Sequence, residues 1–157
     1  MKFLGRLIAR LSQLLTDPWT SAMQAAADKD MIGRRGEDIA AKWLQSRGCR
    51  VLYRNFKGPH GGEIDITCRH EKVLAFVEVK TRTSIAFGRP AQAVTEDKRA
   101  LIQRGAAAWL RMLDEKEIPF RFDIVEVLLI PGLRPDVNWL QGAFSSKGVA
   151  DYARTEE

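Results

Sequence analysis

The chain has 157 residues, 45% of them apolar and 29% charged, the profile of an ordinary globular chain long enough to bury one core. Lysine and arginine outnumber aspartate and glutamate by 25 to 20, giving +5 and a pI near 9.5, which admits an anionic partner such as nucleic acid without requiring one. No run approaches the roughly 18 apolar residues of a membrane span, and the two histidines, His60 and His70, with two cysteines fit no usual zinc spacing.

The chain opens with "MKFLGRLIARLSQLL". Arg6 and Arg10 interrupt its apolar run, which excludes a secretory signal. Phe3, Leu4, Leu7, Ile8, Leu11, Leu14 and Leu15 fall at helical spacing and predict an amphipathic helix over residues 2–15. Three readings stay open for it: packing on its own domain or another subunit, peripheral contact with an anionic membrane surface, or a wrongly assigned start or disordered tail. In "TDPWTSAMQAAADKD", Asp17 and Pro18 read as an N-cap and N1 pair for a short second helix. Residues 1–30 are thus an amino-terminal extension, and the main domain is expected over 31–144.

A helix is predicted from Met31 to Arg47, stopped by Gly48. From residue 34 to 57, Arg34, Arg35, Lys42, Arg47, Arg50, Arg54 and Lys57 set a basic run against only Glu37 and Asp38, with Lys29 and Asp30 just before it. "CRVLYRNF" reads as a strand and "KGPHGG" as a turn. Strands follow over about 63–69 and 73–80, then the connection "TRTSIAFGRP". A long helix covers 93–114, with Thr95, followed by Glu96 and Asp97, as an alternative start. "PFRFDIVEVLLI" is a further strand, "VNWLQGAF" a weaker segment, and residues 145–157 a polar tail expected to be mobile. Cys49 and Cys68 fall in strand-like runs and read as buried free thiols of a cytoplasmic protein. The order α-β-β-β-α-β predicts an α/β fold, a mixed central sheet flanked by helices.

On the 73–80 strand, Val73, Ala75, Val77 and Val79 point one way and Leu74, Phe76, Glu78 and Lys80 the other. Both faces begin apolar, so the strand is central and covered on both sides. Glu78 and Lys80 therefore end a face already committed to the core. On the 63–69 strand, Ile64, Ile66 and Cys68 share one side, and Glu63, Asp65 and Thr67 the other. A hairpin with Glu71 and Lys72 at its tip sets Asp65 opposite Glu78, about 5.5 Å apart at the backbone. On the first helix, Gly36, Ala40, Trp43, Leu44 and Arg47 form one stripe, and Glu37 lies at its edge. Glu37 can reach the sheet from there, or serve as a first-turn acid favoured by the helix dipole.

Two carboxylates at 4 Å repel by about 4 kcal/mol at an effective dielectric of 20. A bound divalent cation removes that cost. Carboxylate oxygens plus the carbonyl of Val79 suit Mg²⁺ or Mn²⁺ that keeps several waters. The rival is a salt-bridged Asp–Lys–Glu cluster without metal.

Four segments, "GEDIAAKWLQSRG", "GGEIDI", "AFVEVKTRTSIAFGRPAQAV" and "RFDIVEV", in this order resemble the YraN-like family of small bacterial proteins. That family is similar to archaeal Holliday-junction resolvases, in the PD-(D/E)xK nuclease superfamily. The resemblance covers about residues 33–130 and extends to Phe144 through "VNWLQGAF". It implies a restriction-endonuclease-like core and a metal-dependent DNA endonuclease, with dimerisation as in the resolvases. It makes Asp65 and Glu78 the metal-binding acids, Lys80 the signature lysine and Glu37 the helix-borne acid. Gln92 stands where related nucleases place a polar residue. Arg34, Arg35 and Arg82 are candidates for backbone phosphates, with ordinary surface arginines as the alternative. Asp123 is left out as the structural partner of a neighbouring arginine. Two competitors remain: a non-catalytic nucleic-acid-binding module of the same fold, and an interaction protein docked through its amino-terminal helix.

Overall fold

A computed structural model describes residues 18–84, 94–113, 118–145 and 149, with side chains from residue 25 onward. The helix expected over residues 2–15 and Gln92 lie outside the described residues. The chain divides after Arg35 into two compact units.

The first element, α1 (Pro18–Ser46), is one continuous helix, not a short helix followed by a second one beginning at Met31. Pro18 fixes its start, and no proline follows before Pro59. The stretch "SAMQAAADK" is rich in good helix formers, and the two interior glycines, Gly33 and Gly36, cost only about 1 kcal/mol each. The helix ends as its sequence predicts: Gly48 takes the left-handed conformation (φ 87°) that a Cβ disfavours.

In the second unit, β1 (Cys49–Lys57), β2 (Glu63–His70), β3 (Val73–Arg82), β4 (Phe120–Leu128) and β5 (Asp136–Phe144) form one sheet in sequence order. All neighbours are antiparallel except β3 and β4, which are parallel and joined through α2 (Glu96–Arg111). The fold is therefore α/β with a mixed sheet flanked by helices, consistent with a restriction-endonuclease-like core. "VNWLQGAF" supplies a fifth strand beyond the predicted order. The start of α2 is the alternative one, with Thr95 as N-cap accepting from the Lys98 amide at 3.3 Å.

Two apolar cores cover the sheet. Ala40 and Leu44 of α1 pack with Ile66, Cys68, Val77 and Val125 on one face. Ile102 and Ala106 of α2 pack with Leu74, Phe76, Phe122 and Ile124 on the other. Val149, in the stretch where a mobile tail is expected, is fully buried in that second core. Both cysteines are free and buried, and burial pushes both thiols up from their ordinary pKa.

The hairpin register is the predicted one, with Ile66 opposite Val77 and His70 opposite Val73. One predicted alternation fails. Ile64 belongs to the α2-side core although Ile66 belongs to the α1-side core. The β2–β3 ladder stops at Ile66, and from there β2 follows β1, with Phe56 opposite Ile64. That change lets the start of β2 meet α2 directly. A Cβ on Gly62 would meet the backbone of Gly105 at 2.5–2.7 Å, and one on Gly105 would meet Ile64 and the Glu63 amide at 2.9–3.0 Å. Only glycines permit this crossing.

Both outer strands are irregular. The β1 register slips between Val51 and Tyr53, and the β4–β5 register slips between Phe122 and Ile124, where Gly142 has φ 61°. These are β-bulges.

Candidate functional site

Asp65 leaves the sheet ladder at the point where β2 and β3 part. Its backbone no longer pairs with Glu78, and its Oδ2 accepts the Val79 amide proton at 2.8 Å instead. Asp65 is 9% exposed and Glu78 3%. Burial first, and the Glu78 charge second, raise the Asp65 carboxyl to about 7. The Val79 N–H and Lys98 oppose that rise, while Glu37 adds the smallest contribution to it. Two acids are thus held near one another against their own repulsion, although the direct Asp65–Glu78 pairing expected of the hairpin is not formed.

Glu78 is paired on both oxygens. Lys80 Nζ lies 2.8 Å from Oε1, and Lys98 Nζ lies 3.4 Å from Oε2. Oε2 nonetheless has no hydrogen bond in its buried position. Lys98 also lies 3.6 Å from Glu63 Oε2. Burial works against its ammonium, but Glu78, Asp65 and Glu63 outweigh that effect and raise its pKa.

Of the predicted residues, Asp65, Glu78, Val79 and Lys80 therefore meet at the end of the β2–β3 hairpin. Glu37 is half-buried on α1 and acts on Asp65 through its charge. Among the described residues no group of three or more histidine, cysteine, aspartate or glutamate side chains is gathered to hold an ion. The carboxylate pair with the Val79 backbone still fits a hard cation, because Mg²⁺ is usually held by one or two carboxylates and keeps its waters. Glu78 Oε2, which has no hydrogen bond and only the longer contact with Lys98, is the oxygen such an ion would take.

Arg34 and Arg35 are exposed on α1. Arg82 is half-buried at the end of β3, and its Nε has no hydrogen-bond partner. The basic run does not form a single free face: Arg54 is bonded to Asp38 at 2.7 Å, and the Arg47 guanidinium lies 4.7 Å over the Trp43 ring. Asp123 has the structural role expected of it. It is fully buried and accepts from Arg121 Nε on both oxygens, from Trp139 Nε1 and from the Gly142 amide, all at 2.9–3.0 Å. Val77, which lines the α1-side core, is its register partner on β3.

Sequence reasoning missed Lys98 and Glu63. One signal was available for Lys98: a cation in the first turn of a helix opposes the dipole, so its presence there calls for carboxylates nearby.

The family model described as "Uncharacterised protein family UPF0102" matches residues 36–127. Gly36, its first matched residue, is also the first residue of the second compact unit. A UPF0102 protein of Nocardia farcinica is 43% identical over 117 residues, 74% of this chain and 91% of its own length. One from Trichlorobacter lovleyi is 43% identical over 114 residues, 72% of this chain and 89% of its own. One from Leifsonia xyli is 39% identical over 116 residues, 74% of this chain and 98% of its own. No helix among the described residues is long and apolar enough to cross a membrane.

Proposed function

The chain belongs to the UPF0102 family, the YraN-like group its motifs resemble, and from that premise we propose that it is a metal-dependent DNA endonuclease working in the cytoplasm. The observation that carries this reading is the buried Asp65–Glu78 pair, with Asp65 raised to about 7 and one Glu78 oxygen left without a hydrogen bond. A carboxyl raised by burial and by a neighbouring charge at the end of a buried strand marks a candidate site for chemistry.

Asp65 and Glu78 would hold Mg²⁺ or Mn²⁺, with the Val79 carbonyl beside them and Glu37 within electrostatic reach. When bound, the ion supplies Lewis acidity at a phosphoryl oxygen and lowers the pKa of a coordinated water. The Val79 amide fixes Asp65 Oδ2, so the carboxylate is oriented before substrate arrives. Lys80 holds Glu78 through Oε1 and keeps an ammonium where charge develops on the phosphate. Burial of both acids excludes bulk water from the pair. Arg34, Arg35 and Arg82 are the proposed contacts for flanking phosphates, Gln92 an added polar contact, and a homodimer the proposed assembly.

The test is cleavage of linear duplex, single-stranded and four-way-junction DNA with Mg²⁺ or Mn²⁺. Cleavage is expected with metal and none in excess chelator. DNA binding should weaken steeply between about 50 and 200 mM salt, as phosphate contacts release counterions. An affinity that stays flat over that range would refute the phosphate contacts. The double ion pairing of Glu78 favours one rival, a metal-free binding module of the same fold. Salt-sensitive DNA binding without cleavage on any substrate would establish that rival instead.

A further inference from the structure

Lys98 is held among carboxylates from two strands without being locked to any. Its ammonium is 3.4 Å from Glu78 Oε2 and 3.6 Å from Glu63 Oε2, whereas Lys80 approaches Glu78 Oε1 to 2.8 Å. Its side chain is 24% exposed, and Glu63 is 43% exposed at the outer side of the cluster. The first turn of α2 is an unfavourable place for a cation, so the side chain is kept there by the acids it faces. Two lysines, Lys80 and Lys98, oppose three carboxylates, Glu63, Asp65 and Glu78.

We propose that Lys98 is a positioning residue that stands in for the divalent ion in the metal-free protein and is displaced toward Glu63 when metal binds. The inference rests on the metal-centre reading above. A divalent ion on Asp65 and Glu78 makes one ammonium surplus beside Glu78. Lys98 is the one released, because its contact is longer and Glu63 offers it a second partner. An internal cation that must be moved aside lowers the apparent affinity for the external one. Lys98 therefore keeps the acids assembled before metal arrives and makes the site give the metal up readily.

Calorimetric titration with Mn²⁺ alone, on the full chain without nucleic acid, tests this. Lys98→Met removes the competing charge and keeps the length, so it should bind Mn²⁺ roughly two- to fivefold more tightly than wild type, the scale of one partly screened ion pair. Its melting temperature should be lower in chelator and rise further on Mn²⁺ addition. Lys98→Arg, whose fork pairs more firmly with carboxylates, should bind Mn²⁺ several-fold more weakly. A structural lysine predicts a different pattern, with Met weaker or unchanged and Arg restoring wild-type affinity. That pattern, with wild type still binding Mn²⁺, overturns the role of Lys98 and leaves the metal centre standing. Should Lys98→Met not fold, an unchanged affinity in Lys98→Arg overturns it equally. Absence of Mn²⁺ binding in all three proteins removes the metal centre and this role together.

Discussion

Asp65→Asn is expected to lower metal-dependent DNA cleavage by at least about 10²–10³-fold while making the metal-free protein more stable at pH 8. Both effects come from one carboxylate. Burial and the Glu78 charge raise Asp65 from 3.8 to about 7 in the folded protein, so between those values the folded chain binds a proton that the unfolded chain does not. Stability therefore falls as pH rises through this window, and above about pH 7 the ionised Asp65 is a standing penalty. Asparagine removes the charge and keeps an oxygen for the Val79 amide. The gain at pH 8 should be on the order of 2–4 kcal/mol, shrinking below pH 7 and vanishing near pH 4, where Asp65 is protonated in both states. Wild type should also bind Mg²⁺ more weakly below pH 7, because the proton competes for the same oxygens. Chemical denaturation at pH 5 and pH 8 in chelator, beside a cleavage assay, reads all of this. An Asn variant less stable than wild type at pH 8 would show that Asp65 is a structural acid.

The second large effect lies on the opposite face of the sheet. Asp123→Asn should cost about 3–5 kcal/mol, the range for breaking a buried ion pair, without changing the metal-induced rise in melting temperature. Each of its partners, the guanidinium of Arg121, the indole N–H of Trp139 and the amide of Gly142, is a donor. A carboxylate accepts from all of them, whereas asparagine turns an NH₂ group toward donors it cannot satisfy. Arg121 also contacts His70 Nδ1 at 3.2 Å, so its displacement reaches β2. Urea unfolding with and without Mn²⁺ checks the prediction, and a lost metal response would place Asp123 in the functional site after all.

Hairpin alternation brought Asp65 near Glu78 and Lys80, but the direct Asp65–Glu78 pairing it expects is replaced by the bond from the Val79 amide to Asp65. Ile64 was misplaced because alternation presumes an unbroken ladder, and the ladder ends at Ile66 for a reason the pattern does not contain: the Val79 amide is taken by a side chain. The expected division into a short helix from Pro18 and a second one from Met31 is absent because a helix carries polar residues such as Lys29 and Asp30 readily on an exposed side. Lys98 was invisible to local reading, since its partners stand 20 and 35 positions away on two strands. Its position depends on where α2 crosses β2, which the glycine contact of Gly62 with Gly105 fixes.

The bulges at Leu52 and around Gly142 have a consequence for assembly. A regular outer strand offers an uninterrupted row of amides and carbonyls to any extended chain that drifts alongside. Here both outer strands break that row, and the Gly142 amide is already donated to Asp123, while the β2–β3 and β3–β4 ladders between them are regular. Strand addition at either border, by a second copy or by an unfolded neighbour, meets a kinked template with mismatched spacing. Bulged borders of this kind disfavour self-association by continuation of the sheet. Among the described residues, β1 and β5 are the two borders of this five-stranded sheet.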